Sequence, residues 1–134
     1  WSLGVLYDRI GTEDPAGAFD RMRVTTYLLQ LSYRPWIGTR AALELHAALG
    51  PSIIAITSTN ERLPVTATPS VVNLGVRYLH LLGGTVGVFI GADQGGSSEA
   101  PARFKDKDLR DANDAWVPLS WSASRLTLGT VIRF

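Results

Sequence analysis

Glu44, His46 and Arg40 project to one side of a single alternating segment, and Gln30, Arg77, Asp8 and Arg133 occupy the matching polar phase of theirs. Acids, bases and an imidazole gathered in this way suit a pore lining or a proton-transfer pair; in a narrow interior they instead neutralise one another as a packed set. The packed set is the expectation. An acyl-transfer site needs a nucleophile beside a base that a third group holds. The two histidines stand in Leu45-His46-Ala47 and Leu79-His80-Leu81, with no serine two positions away. His80 shares the phase of Tyr78 and Leu82 and has only Ser52, Ser70 or Ser120 as distant partners, so no catalytic residue is assigned.

Asp106, Asp108, Asp111 and Asp114 suggest a calcium loop, but Arg110 stands at the third ligand position and Asp111 where the sharp bend needs glycine. No metal and no cofactor is expected. Gly83-Gly84 and Gly95-Gly96 read as turns, since neither pair opens a helix that could cradle phosphate. Arg103, Lys105, Lys107 and Arg110 lie in the mixed-charge segment from Asp93 to Asp114, read as a solvated loop whose cations are placed to meet polar ligands.

The 134 residues contain no cysteine, which removes disulfides and thiolate metal sites. Thirteen basic and twelve acidic side chains leave a formal charge of +1. That gives no field to collect nucleic acid, which is excluded as a partner. With 46% hydrophobic and 19% charged residues the chain reads as one domain over 1–134. No run approaches the roughly 18 to 20 apolar residues of a membrane-crossing helix. Scattered glycine and proline, with valine, isoleucine, threonine and aromatics between them, point to an all-β chain.

Five segments alternate with period two: Tyr27 to Tyr33, Arg40 to Leu49, Val72 to Leu79, Thr85 to Gly91 and Arg125 to Phe134. One face of each is bulky and apolar, the other small, polar or charged. A soluble sandwich would bury the bulky face, whereas a transmembrane barrel turns it to lipid. Segment lengths near the ~9 to 11 residues of a tilted membrane strand, with almost no lysine, favour lipid. Trp1, Tyr7, Tyr27, Tyr33, Trp36, Tyr78, Trp116 and Phe134 near expected strand ends point the same way.

The last ten residues carry Leu126, Leu128, Thr130, Ile132 and a terminal Phe134. They resemble the C-terminal signal of Gram-negative outer-membrane β-barrel proteins, in which Leu128, Ile132 and Phe134 would be read by the barrel-assembly machinery. The whole chain resembles the small eight-stranded barrels that include the transmembrane domain of OmpA, OmpX and the opacity proteins. The resemblance implies an antiparallel up-and-down transmembrane barrel, integral to the bacterial outer membrane, with both termini at the short-turn end. Eight strands are expected, with a first outer loop at Ile10–Arg21, an inner turn at Arg34–Gly38 and tight turns at Gly50-Pro51 and Leu82-Gly84. A second parse runs Thr39–Thr59 and Leu63–Leu81 as one long hairpin and yields about six strands. The expected function is structural or loop-mediated interaction around a plugged polar lumen. A narrow channel, a lipid A acyl hydrolase and a soluble ligand-binding barrel are the alternatives. The implied partners are outer-membrane lipid and lipopolysaccharide, the latter through Arg103, Lys105, Lys107 and Arg110, together with another envelope protein.

Overall fold

Alternating apolar and polar residues produce long strands here. The computed structural model describes residues 1–13, 20–57 and 64–132. In chain order its strands are β1 (Ser2–Thr12), β2 (Arg21–Ile37), β3 (Ala41–Thr57), β4 (Val65–Ala67), β5 (Ser70–Leu81), β6 (Val86–Ser97), β7 (Ala100–Pro101), β8 (Arg103–Phe104), β9 (Lys107–Asp108), β10 (Pro118–Leu119) and β11 (Ser122–Ile132). Every ladder is antiparallel, and the six long strands follow the order β1-β2-β3-β5-β6-β11. Among the described residues no ladder joins β1 to β11. Arg125 of β11 nevertheless donates to the Asp8 carboxylate of β1, so the sheet curls until side chains from its two edges meet.

The long strands run alternately up and down. Residues 38–40 and 82–85 make short turns at the end that also holds Ser2 and Ile132, while the long connection over residues 98–121 lies at the opposite end. There β4, β8 and β9 extend the ladder from β3, and β7 pairs with β10. Val24, Ile54, Ala67 and Ala100 pack inside this end with Met22, Ile56 and Leu119. Trp121 joins them to a second cluster of Leu28, Ala48 and Val71.

The all-β, antiparallel expectation holds, but the strand count does not: six long strands replace the expected eight, as in the second parse. Gly50-Pro51 is not a turn and lies within the unbroken β3. Proline lacks the N–H that a ladder needs, and the register from β2 passes over this point, pairing Thr26 with Ser52 and then Leu29 with Leu49. Gly50 allows the two backbones to crowd, because a Cβ there would run into the carbonyl of Tyr27. Asp93–Ser97, read as the start of a loop, completes β6. Arg34–Ile37 belongs to β2, and Ile10–Thr12 and Arg21 are strand residues too, with 14–19 between them outside the described residues. Tyr7 and Tyr27 consequently sit within strands rather than at their ends.

The two faces of the sheet have opposite chemistry, and the bulky one is outside. Val5, Leu128 and Leu126 are 83%, 81% and 84% exposed, whereas Glu44, His46 and Asp93 are 5%, 5% and 6% exposed. The bulky face is not the buried one that a soluble barrel requires.

The crowding at Gly50 has a measurable consequence. Gly50→Ala is expected to destabilise the fold by about 1–3 kcal/mol, the cost of overpacking a tight contact. Gly83→Ala, where an added Cβ meets nothing within 4 Å, should stay within about 0.5 kcal/mol of the parent. Urea unfolding followed by tryptophan fluorescence checks both.

Candidate functional site

Inward positions of six strands bring the charged side chains together. Cross-strand register sets Glu44 opposite Arg77, and His46 opposite Gly75, which is itself opposite Asp93. Gly75 has no side chain, so His46 and Asp93 reach over the strand between them and bond Nε2 to carboxylate. A Cβ at Gly75 would collide with both groups. Thr127 donates to the other Asp93 oxygen at 3.5 Å. Next along, Glu44 accepts from Arg34 Nε at 3.0 Å and lies 3.6 Å from Arg77 Nη1. Arg34 gets there because β2 bulges between Tyr33 and Trp36, where Pro35 has no N–H to give the ladder. Arg125 and Asp8 form the third ion pair.

Among the described residues the interior therefore holds three carboxylates, Asp8, Glu44 and Asp93, each with a cationic or imidazole partner. Balanced pairing is what makes burial of these groups tolerable, since an unpaired charge there loses its hydration with no return. Gln30 donates to Ser32 Oγ at 2.9 Å, and Trp121 Nε1 to Ser52 Oγ at 3.3 Å. His46 Nδ1, Asn73 Oδ1 and Arg77 Nε are buried without a protein partner among the described residues. Asn73 and Asp93 border a cavity of about 350 Å³ that Asp8, Thr26, Trp121 and Arg125 also line. Chemically the set neutralises charge and fills space. The apolar clusters lie toward the loop end.

Five of the seven residues assigned to the interior from sequence are found there: Asp8, Gln30, Glu44, His46 and Arg77. Arg40 is not. It is exposed in the turn before β3, where its carbonyl accepts from Leu81 N at 2.7 Å. Arg133 lies outside the described residues, as does Phe134. Leu128 and Ile132 face outward and are exposed. Sequence reasoning missed Arg34, Asn73, Asp93 and Arg125. Asn73 and Arg125 carried a signal, since both stand on the polar phase of recognised alternating segments.

The basic loop residues do not form an open cluster. Arg103 pairs with Asp108 at 2.8 Å, Arg110 with Asp114 at 3.6 Å, and Lys105 lies 5.1 Å over the Phe104 ring. Lys107 is exposed in β9. Asp111 accepts from the backbone N–H groups of Asn113 and Ala115. Among the described residues no three acidic or imidazole side chains converge as a metal site would need. His80 stacks on Tyr78 and meets its hydroxyl at 3.5 Å, and no serine hydroxyl bonds to either histidine among the described residues.

A double-mutant cycle tests the interior network. Asp93→Ala should cost about 1–3 kcal/mol because it leaves the buried His46 Nε2 without its partner. The cycle with His46→Ala should return a coupling well above the ~0.2–1 kcal/mol of an exposed pair such as Arg103–Asp108. Equal coupling at the two sites would refute a structural role for the His46–Asp93 contact.

Compared with known proteins, the chain matches no family model, no curated protein and no solved structure.

Proposed function

We propose that the chain is an integral outer-membrane β-barrel protein of a Gram-negative bacterium that anchors in lipid and displays its long loops. The observation that carries this reading is the inverted sheet: large apolar side chains exposed along every long strand, paired charges buried beneath them. In water such a surface favours aggregation, and in a bilayer it is the required one. Strands of 11 to 17 residues are long enough to cross when tilted. Short turns at one end and long connections at the other match the asymmetry of such barrels. Trp1 stacks on Tyr33 at the short-turn end, and the Tyr7–Tyr27 pair lies six residues further along β1, roughly 20 Å at ~3.3 Å per residue. Aromatic pairs of this kind on an outward face are what an interfacial girdle uses.

Backbone groups in hydrocarbon must all be paired, so this reading requires β1 to close on β11. Their opposite directions and the Asp8–Arg125 contact support closure. The apolar clusters at the loop end favour a plugged lumen over a narrow channel. Among the described residues no serine hydroxyl bonds to either histidine, which does not favour an acyl hydrolase. Recognition of the final strand by the barrel-assembly machinery belongs to the same proposal, with Leu128 and Ile132 on its outward face.

The expected outcome is a protein that leaves membranes only with detergent and migrates faster on a gel before boiling than after. A monodisperse preparation without detergent would refute it. Closure has its own test in a chain with no native cysteine: Asp8→Cys combined with Arg125→Cys should be joined within one chain by a short bis-maleimide. Joining only between chains would mean that the edges complete themselves on a second copy.

A further inference from the structure

Beyond the Tyr7–Tyr27 pair, the outward face of β1 and β2 changes from apolar to strongly basic within one turn of the pleat. Arg9 follows Tyr7 on the same face, and Arg23 and Arg21 precede Tyr27 on theirs. Register places Arg9 opposite Thr25 and Arg23 opposite Gly11, so Arg9 and Arg23 are diagonal neighbours with a side-chain-free position beside them. The three arginines, Gly11, Thr12 and Glu13 line an open polar hollow of about 590 Å³. Glu13 occupies Arg21 at 3.2 Å, while Arg9 and Arg23 have no acidic partner among the described residues. Below the tyrosines the same outward face carries Leu3, Val5, Leu29 and Leu31, all exposed.

We infer that Arg9 and Arg23 form a site for the phosphate of a membrane lipid whose acyl chains lie along Val5, Leu29 and Leu31. Two adjacent guanidiniums offer the forked donors that a phosphate monoester accepts two at a time, and Gly11 leaves room for the oxygens to approach. Charge complementarity and the continuous apolar strip below the arginines select a lipid over a free anion. The arginines sit at the long-loop end, so the lipid belongs to the leaflet beneath those loops. This displaces lipid-phosphate recognition from Arg103 and Arg110, whose guanidiniums are already paired. The inference rests on the membrane reading above, and its test separates the two.

Detergent-solubilised, heat-modifiable protein is titrated with phosphatidic acid and, separately, with phosphatidylcholine of the same chain length, and retained lipid is counted by native mass spectrometry. The parent should prefer phosphatidic acid. Arg9→Gln combined with Arg23→Gln should weaken that preference by about tenfold or more, the scale of losing charge-assisted hydrogen bonds. Lys105→Gln combined with Lys107→Gln should leave it unchanged. A double arginine variant that still shifts on heating but keeps the full preference overturns the inference and leaves the membrane reading intact. Displacement of phosphatidic acid by inorganic phosphate at equal concentration overturns it too, marking a site for the free anion. Failure of the parent to show a heat-modifiable, detergent-dependent form overturns both readings.

Discussion

Side chains on strands separated by a third can bond inside a curled sheet only where the strand between them has nothing in the way. Gly75 meets that condition for His46 and Asp93. The contact sets how β3, β5 and β6 curve together, because a longer side chain at the centre would force the two partners apart. It also brings Asp93 next to Thr127 of β11, carrying the curl on to the edge of the sheet. The same bulk-against-space rule recurs one row away, where Gly91 leaves the room that Arg77 and Thr127 occupy. Charge burial and sheet curvature are therefore one problem with one solution.

That solution accounts for the division of the molecule into a polar middle and an apolar loop end. The middle carries ion pairs whose members are each costly alone and tolerable together. The loop end carries Val24, Ile54, Ala67 and Ala100, an ordinary dry core in which Trp121 keeps its indole N–H satisfied by Ser52. With the core above and the charges below, rigidity comes from inside while the outer surface is left apolar. A soluble protein of this size commonly makes the opposite choice.

Much of this was legible in the alternation alone. Period two assigned Asp8, Gln30, Glu44, His46 and Arg77 to one side without any knowledge of their partners, because a pleated strand leaves no other option. What stayed hidden follows from local punctuation and from distance. Gly50-Pro51 has the composition of a turn, yet β3 passes through it because the missing N–H and the missing Cβ are absorbed at one close approach to Tyr27. Asp93 precedes Gly95-Gly96-Ser97-Ser98, which reads as loop, although Gly95 is an inward position that makes room beside Asn73 and Trp121. Arg40 kept its phase on paper but falls in the turn, where strand phase has no meaning. Arg125 finds Asp8 across 117 residues, a pairing that only the curl of the whole sheet creates.

The positions of the charges bear on what the fold is for. Toward the loop end the ion pairs give way to Leu28, Ala48, Val71 and Trp121, interspersed with the buried polar groups of Thr26, Ser52 and Asn73. The carboxylates of those pairs are each taken by a partner within the same interior, so they hold strands in register rather than await an ion. Of the loop cations, Arg103, Lys105 and Arg110 are likewise engaged by neighbouring acids or a ring. That leaves Arg9 and Arg23 as positive groups on an outward strand face without such engagement among the described residues, directly past an aromatic pair and an apolar strip. Under the membrane reading, recognition thus shifts from the lumen and the loop tips to the boundary between strand and headgroup, where a guanidinium gains a phosphate without having to surrender an internal partner.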